Sequence, residues 1–248
     1  MRTIAVINQK GGVGKTTTTL NIGAGLARQG KRVLLVDVDP QAHLTYSLGV
    51  AADQLERCLL HLLAGEAGPE QTILHVHENL DLLPASQRLL DLDQAPAPQE
   101  TLLRDALALL PGYDFVLLDC PPNLGLLSVN ALAAAREVLI PLQTEFLALQ
   151  SLSRLLRTVE TVQAGLNPEL AITGIAATRF SKQKKLNREV LKKISEYFPD
   201  QLFETRIREN VSLAEAPGFG QDIFSYRPRS NGAQDYRNLC REILNQGA

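Results

Sequence analysis

The chain has 248 residues, of which 45% are hydrophobic, and its formal net charge is −2 at pH 7. This length and composition fit one large α/β domain spanning residues 1–248 with a substantial core. No apolar run reaches the ~18 residues needed to span a bilayer, no leader precedes the first predicted strand, and the three cysteines form no C-x-x-C pair. These features argue against a membrane-spanning protein, a disulfide framework and a zinc site, and they predict a cytoplasmic protein.

A strand, a glycine-rich loop and a helix are the first predicted elements. The apolar run Ile4–Ile7 indicates a buried strand, and a helical pattern covers residues 15–28. Glycines between them let backbone N–H groups turn towards an anion, which also faces the positive end of the helix dipole. This context predicts a phosphate-binding loop in which Lys15 reaches the β- and γ-phosphates and the Thr16 hydroxyl binds Mg²⁺. The residues expected to contact the nucleotide are Lys10, Gly11, Gly12, Val13, Gly14, Lys15, Thr16 and Thr17.

This loop carries one lysine more than an ordinary phosphate-binding loop. The usual pattern has glycine at the position of Gln9 and a single lysine, which corresponds to Lys15. The loop is therefore a variant, and Lys10 needs a role of its own.

Two further predicted strands end in carboxylates. The apolar run Val33–Val36 leads into Asp37 and Asp39, and the run Phe115–Leu118 leads into Asp119. Carboxylates at the carboxyl ends of parallel strands face the crevice where α/β proteins bind ligands. Asp37 and Asp39 lie on the same side of an extended chain, so either could hold a metal-bound water or position the attacking one. Asp119 is expected to hold Mg²⁺, directly or through a water.

The remaining pattern alternates strands with helices. This alternation predicts an α/β fold, a single doubly wound and mostly parallel sheet with helices on both faces. The segment Ala95–Gln99, rich in proline and glutamine, is expected to be a loop. Strands are predicted over Leu80–Leu83, Val138–Leu142 and Ile172–Ala177, and helices over Gln99–Leu110 and Leu147–Ala164.

One segment has a strongly basic composition. Apolar residues recur at helical spacing from Leu186 to Ile194, so the basic residues are expected on the exposed face of an amphipathic helix and the loop before it. Solvated faces usually mix charges, whereas this segment has the single acid Glu189, as expected of a surface that contacts a phosphate backbone. The basic residues are Arg179, Lys182, Lys184, Lys185, Arg188, Lys192 and Lys193.

Four motifs resemble those of the ParA/MinD family of deviant Walker ATPases and together span nearly the whole chain. They are K-G-G-V-G-K-T-T from Lys10, D-V-D-P-Q from Asp37, D-C-P-P from Asp119 and S-N-G-A-Q-D-Y from Ser230. The resemblance is to the short, Soj-like ParA form of chromosome and plasmid partitioning. It implies a slow ATPase that uses ATP and Mg²⁺, forms a homodimer with ATP and binds DNA non-specifically. A ParB-like centromere-binding partner would stimulate hydrolysis, and the protein would associate with the nucleoid.

The resemblance also implies roles for individual residues. Lys10 would be the signature lysine, which reaches the phosphates bound by the other subunit of a nucleotide-sandwich dimer and stabilises the charge of phosphoryl transfer. Asp39 would position or activate the hydrolytic water. The catalytic set is then Lys10, Lys15 and Asp39, and the metal set is Thr16, Asp37 and Asp119. By analogy, the adenine base of ATP would lie against Thr178, Arg179, Ile207 and Arg208.

The chain departs from the Soj-like pattern in the region used for DNA. Glu209 and Ser212 stand where Soj-like proteins carry two arginines, so those contacts cannot be carried over. The residues expected to contact DNA are Lys182, Lys184, Lys185, Arg188 and Arg206.

Two other functions of the same superfamily compete with this interpretation. A MinD-like positioning ATPase at the membrane would need a C-terminal helix with basic and bulky apolar faces, but residues 236–248 contain one acid, two bases and few large apolar residues. An iron–sulfur reductase would need paired cysteines, and no cysteine follows Cys120 before Cys240. We expect no stable membrane association, and a MinD-like or other positioning ATPase that places a protein cargo is the alternative.

Overall fold

The computed structural model describes residues 1–94, 99–110 and 112–246, and its strands form one eight-stranded sheet. The strands are β1 Arg2–Val6, β2 Val33–Asp37, β3 Leu74–His77, β4 Leu80–Leu83, β5 Phe115–Asp119, β6 Glu137–Gln143, β7 Ala171–Phe180 and β8 Leu202–Arg208. The helices are α1 Lys15–Ala27, α2 His43–Ser47, α3 Leu59–Leu63, α4 Pro69–Thr72, α5 Leu102–Ala108, α6 Leu126–Ala134, α7 Ala148–Gly165, α8 Lys185–Tyr197, α9 Val211–Glu215, α10 Ile223–Tyr226 and α11 Asn231–Asn245.

The order of the strands places the carboxyl ends of β1, β2 and β5 side by side. Across the sheet the order is β3-β4-β2-β5-β1-β6-β7-β8, and all the pairings are parallel except the one between β3 and β4. Asp119 is level with Val6 on one side and with Asp37 on the other. The predicted doubly wound, mostly parallel sheet is confirmed, and its ligand-binding edge lies where these three strands end.

Helices cover both faces of the sheet, which explains the continuous apolar runs. Successive side chains of a strand point to opposite faces. In β2, Leu34 and Val36 belong to one core, and Val33 and Leu35 belong to the other. The first core includes residues of α3, α5, α6, α7 and α8, and the second includes residues of α1, α10 and α11. Strands buried on both faces have no polar alternation to show in the sequence.

Most predicted elements agree with the structure. The predicted strands lie within β4, β6 and β7, and the helices predicted over residues 15–28 and 147–164 correspond to α1 and α7. The helix predicted from Gln99 begins only at Leu102, and the Gln99 carbonyl instead accepts a hydrogen bond from the Asn130 side chain at 2.8 Å. In the predicted loop Ala95–Gln99, residues 95–98 lie outside the described residues.

Two further expectations concern the chain as a whole. Within the described ranges, no helix is both long enough and apolar enough to cross a bilayer. A single domain over residues 1–248 stays a prediction. The antiparallel edge strand β3 was missed, because its four residues alternate between half-buried and exposed positions and include two histidines.

Candidate nucleotide site and basic surface

The glycine-rich loop between β1 and α1 forms an open cradle. Gly12 and Gly14 have φ angles of 76° and 90°, in the left-handed region that favours glycine. A Cβ atom built at either residue, or at Gly11, would meet no atom within 4 Å, so the space above the loop is free. The Asn8 side chain shapes the loop, since it accepts a hydrogen bond from the Lys10 N–H at 3.0 Å and donates one to the Pro141 carbonyl at 2.8 Å. The geometry suits a phosphate chain.

Next to this cradle, Asp119 accepts hydrogen bonds from two hydroxyl groups in the first turns of α1. Thr16 Oγ1 donates a hydrogen bond to its Oδ2 at 2.7 Å, and Thr19 Oγ1 donates one to its Oδ1 at 3.2 Å. Burial raises the pKa of Asp119, although the hydrogen bond from Thr16 and the charge of Lys15 lower it. A carboxylate and a hydroxyl beside a phosphate cradle suit Mg²⁺, which takes few protein ligands and completes its shell with phosphates and waters. In the described residues, no three His, Cys, Asp or Glu side chains form a cluster able to hold a metal alone.

Asp37, the last residue of β2, and Asp39, two residues later, occupy different environments. Asp37 is fully buried, and its Oδ2 accepts hydrogen bonds from the Thr45 N–H at 2.9 Å and the Thr45 hydroxyl at 2.7 Å. Its Oδ1 accepts one from the Asp39 N–H at 3.2 Å. Burial raises the pKa of Asp37, and the charge of Asp119 raises it further. Both Asp37 oxygens thus hold the segment after β2 in place.

Asp39 instead faces the cavity. It lines a space of about 630 Å³ together with the glycine loop, Lys15 and Gln41, whereas Asp37 does not. Its Oδ1 accepts a hydrogen bond from the Gln41 N–H at 3.0 Å, which leaves Oδ2 available to a water. Asp39 thus lines the cavity and Asp37 lies behind it, while a role of Asp39 in orienting a water stays a prediction. A direct role of Asp37 at the metal stays a prediction.

Lys10 turns away from the cradle in this structure. Its Nζ forms an ion pair with Glu145, which follows β6, and both side chains are partly exposed. Lys10 is absent from the lining of the cavity that contains Lys15. The side chains of the two lysines of this loop therefore point to different places, and the role of Lys10 stays a prediction.

The residues predicted to contact the adenine base lie together in a second cavity. This cavity, of about 410 Å³, shares Gly12, Gly14 and Thr17 with the first. Thr178, Arg179, Ile207 and Arg208 all line it. Thr178 Oγ1 donates a hydrogen bond to the Val13 carbonyl at 2.7 Å, and the Arg208 guanidinium pairs with Asp235 at 2.6 Å. The sequence reasoning missed other residues of this lining, namely Glu209, Asn210, Val211, Leu213, Ala214 and Tyr236.

Except for Arg179, which lies in β7, the basic segment forms α8 and the loop before it, as predicted. Val190 and Ile194 are buried, Leu191 is half-buried, and the basic side chains of the helix lie outside the core. Leu186 was expected on the buried face, but it is 44% exposed, because Asn187 takes the inward position and donates a hydrogen bond to the Thr144 carbonyl at 2.7 Å.

The basic surface, defined as the seven basic residues from Arg179 to Lys193, is less one-sided than its sequence. Three of its lysines lie within 4 Å of a carboxylate, and only one of these acids, Glu189, was foreseen. The pairs are Lys184 with Glu209 at 3.0 Å, Lys185 with Glu189 at 3.6 Å and Lys192 with Glu196 at 3.9 Å. The surface therefore mixes signs more than the sequence indicated.

Arg206 does not extend this surface. It is half-buried in β8 and shares a shallow pocket with Asp235, Arg241 and Glu242 of α11. Helix α11 packs on the opposite face of the sheet from α8. Burial lowers the pKa of Arg206, and the nearby Glu242 carboxylate raises it. The structure thus gives no support to Arg206 as part of one DNA-contacting surface with Lys184.

Comparisons with known proteins give a consistent result. A family model described as an AAA domain matches residues 1–172. The chain is 44% identical to the sporulation initiation inhibitor protein Soj of Bacillus subtilis, with 98% of each chain covered. It is 48% identical to the chromosome-partitioning ATPase Soj of Thermus thermophilus, covering 98% of this chain and 96% of that one. Among solved structures, the chain is similar to cobyrinic acid a,c-diamide synthase from Mycobacterium smegmatis with bound ADP and magnesium. The TM-score is 0.87 and the sequence identity is 37%, with 100% of this chain and 95% of that chain covered.

Proposed function

Since this chain belongs to the ParA/Soj family of chromosome-partitioning ATPases, we propose that it hydrolyses ATP with Mg²⁺ to control its own dimerisation and its binding to DNA. The observation that carries the proposal is the cavity bounded by the glycine loop, Lys15 and Asp39, beside the pair formed by Thr16 and Asp119. The Mycobacterium smegmatis protein has a different activity name, but the two Soj proteins are more similar in sequence, at 44% and 48% identity against 37%.

Several residues in and beside the cavity have a defined part in the proposed hydrolysis. The loop amides and Lys15 would bind the triphosphate, and Thr16 and Asp119 would hold Mg²⁺, which would supply positive charge beside the phosphates. Asp39 orients a water for in-line attack on the γ-phosphorus, so that the bond to the β,γ-bridging oxygen breaks and ADP leaves. Asp37 holds the Asp39 segment through its own hydrogen bonds.

Lys10 completes the proposed site from a second copy of the chain. Its ammonium lies outside the cavity that contains Lys15, on a partly exposed ion pair with Glu145. In an ATP-bound homodimer, Lys10 of each subunit would exchange Glu145 for the phosphates held by the other subunit. A cation placed there stabilises the transition state as an arginine finger does.

The basic surface supports DNA as the matrix on which the dimer assembles. Phosphate contacts are independent of sequence, so binding through α8 and its preceding loop would be non-specific. We propose a ParB-like partner as the stimulator of hydrolysis, and nucleoid association follows from the DNA contact. The C-terminal helix offers little support for the membrane alternative, since Tyr236, Leu239 and Ile243 of α11 are buried.

Co-sedimentation with duplex DNA and, separately, with anionic lipid vesicles tests this proposal. The chain should sediment with DNA in ATP and Mg²⁺, should not do so without nucleotide, and should stay in the supernatant with vesicles. Lys15→Ala is the control, because loss of the ATP-binding lysine should abolish the response. Sedimentation with vesicles but not with DNA would favour the MinD-like alternative, and absence of ATP turnover under all conditions would overturn the proposal.

A further inference from the structure

One acid beside the basic surface comes from a separate segment of the chain. Glu209 follows β8, and its backbone N–H donates a hydrogen bond to the carbonyl of Phe180, the last residue of β7, at 3.3 Å. Its carboxylate lies 3.0 Å from the Lys184 ammonium and 3.8 Å from the Arg179 guanidinium. The sheet therefore fixes this acid beside two of the cations in the basic surface.

Glu209 differs from the other two acids there. Glu189 and Glu196 lie on α8, pair with lysines four residues away in sequence, and reach them only at 3.6 Å and 3.9 Å. Among these three pairs, only the one between Glu209 and Lys184 is also a hydrogen bond. That hydrogen bond lowers the pKa of Glu209, so the carboxylate is charged throughout the physiological pH range.

We propose that Glu209 is an internal competitor of DNA for Lys184 and Arg179, and that it keeps the affinity for DNA low enough for release. This inference rests on the proposed DNA binding. A phosphate that binds Lys184 must either displace the Glu209 carboxylate or lie beside this second anion, and both cancel part of the energy gained. A lysine that is already paired also adds less to the salt dependence of binding, because its charge is partly neutralised before DNA arrives.

Glu209→Gln removes the charge and keeps the shape of the side chain. Affinity for a short duplex of arbitrary sequence, measured by fluorescence anisotropy at saturating ATP over a range of salt, should rise roughly two- to fivefold, the range of an exposed ion pair. The slope of log affinity against log salt should become steeper by about 0.9, which corresponds to one additional neutralised phosphate.

Two controls isolate the proposed pairing. In a Lys184→Gln background, Glu209→Gln should lose most of its effect, because the cation that it frees is absent. Glu169→Gln removes the same charge from an exposed ion pair, the one with Arg136 at 3.8 Å. Arg136 precedes β6, at the amino edge of the sheet. This variant should leave DNA binding unchanged.

The outcomes separate this inference from the proposed function. If the unaltered chain binds DNA and Glu209→Gln binds with the same affinity and salt slope, the competitor role is wrong while the proposed function stands. If Glu209→Gln is equally effective with and without Lys184, the effect comes from general repulsion between the Glu209 charge and DNA, and not from the pairing with Lys184. Failure of the unaltered chain to bind DNA would overturn both.

Discussion

The nucleotide site and the basic surface hold their charges in opposite environments. Asp37 and Asp119 are almost completely buried, while the side chains of Lys184 and Glu209 are 57% and 51% exposed. A charge interaction of a given length is several times stronger in a protein interior than in water, where salt also screens it. Single substitutions should therefore have large effects at the nucleotide site. At the basic surface, each substitution should have a small effect on binding, several should add up, and the effect should depend on salt.

Lys10 is expected to give the largest effect, because its exposed ion pair would be exchanged for a water-poor dimer interface. Lys10→Ala should bind ATP as a monomer but fail to dimerise. Each charged hydrogen bond contributes about 1.5–3 kcal/mol, and a symmetric dimer contains the contact twice, so the loss is about 3–6 kcal/mol. Sedimentation velocity with ATP and Mg²⁺ measures this loss.

Glu145→Gln is the matched control for Lys10. It removes the ion pair seen in the monomer and keeps the lysine free to reach a partner. Dimerisation should then be at least as strong as in the unaltered chain. A Lys10→Ala protein that dimerises normally with ATP would contradict the proposed role.

Asp39 should affect turnover without affecting nucleotide affinity. Asp39→Ala removes a group needed only in the transition state, so turnover should fall by about 10²–10⁴-fold, or roughly 3–5 kcal/mol of barrier. The variant should accumulate as an ATP dimer that stays on DNA after a stimulating partner is added. Retained turnover, or an affinity for ATP that falls in parallel with it, would transfer the role to Asp37 or Asp119.

The residues of the nucleotide site could be predicted because they lie in short contiguous motifs. Strand, loop and helix start predict Lys15 and Thr16 from local sequence alone, and a second short motif, an apolar run that ends in an aspartate, predicts Asp119. The partners that hold these motifs come from elsewhere in the chain. Thr45 on Asp37 and Glu145 on Lys10 follow from tertiary packing, and no periodicity or spacing indicates them.

The basic surface could be predicted less completely for the same reason. Glu189 is visible in the segment itself, but Glu209 becomes a neighbour only when β8 pairs with β7. Arg206 shares only its charge with the other basic residues. Its position on the strand places it beside α11, on the other side of the sheet from α8.

The buried carboxylates should also make stability depend on pH in the absence of Mg²⁺. Their pKa values are raised in the folded state, so the protonated forms stabilise the fold. This contribution is complete below the ordinary pKa of about 3.9 and disappears as the pH rises through the raised values. The nucleotide-free protein should lose several kcal/mol of unfolding free energy between about pH 5 and pH 9, since one titrating carboxyl contributes roughly 1.4 kcal/mol per pH unit between its ordinary and its raised pKa.

Urea unfolding over that pH range measures the effect, with Asp37→Asn as the matched variant. The substitution removes one of the two titrating groups, so its stability should fall less steeply with pH. Added Mg²⁺ with ATP should also flatten the profile, since a bound cation favours the charged carboxylates. A stability that rises with pH in the metal-free protein would contradict the sign of this prediction.

The smallest effect per residue is expected at the basic surface. Neutralising Lys184, Lys185 and Arg188 together should weaken binding to any duplex by roughly tenfold at moderate salt, because each exposed cation contributes little alone. The salt dependence is the sharper measurement, since the slope should flatten by about 0.9 for each phosphate that the variant no longer neutralises. No sequence preference should appear, because phosphates do not distinguish bases.

A triple variant with the same charge change elsewhere serves as the control. Arg57, Arg104 and Arg136 are exposed and lie outside α8 and its preceding loop, so replacing all three with glutamine lowers the net charge equally. If DNA is held by the basic surface, this control should keep nearly the full salt slope, and any decrease in affinity should be a small reduction in long-range attraction. Equal decreases in the two triple variants would mean that net charge governs binding. An unchanged slope in the α8 variant would place DNA on another face and remove the reason for Glu209 to act on it.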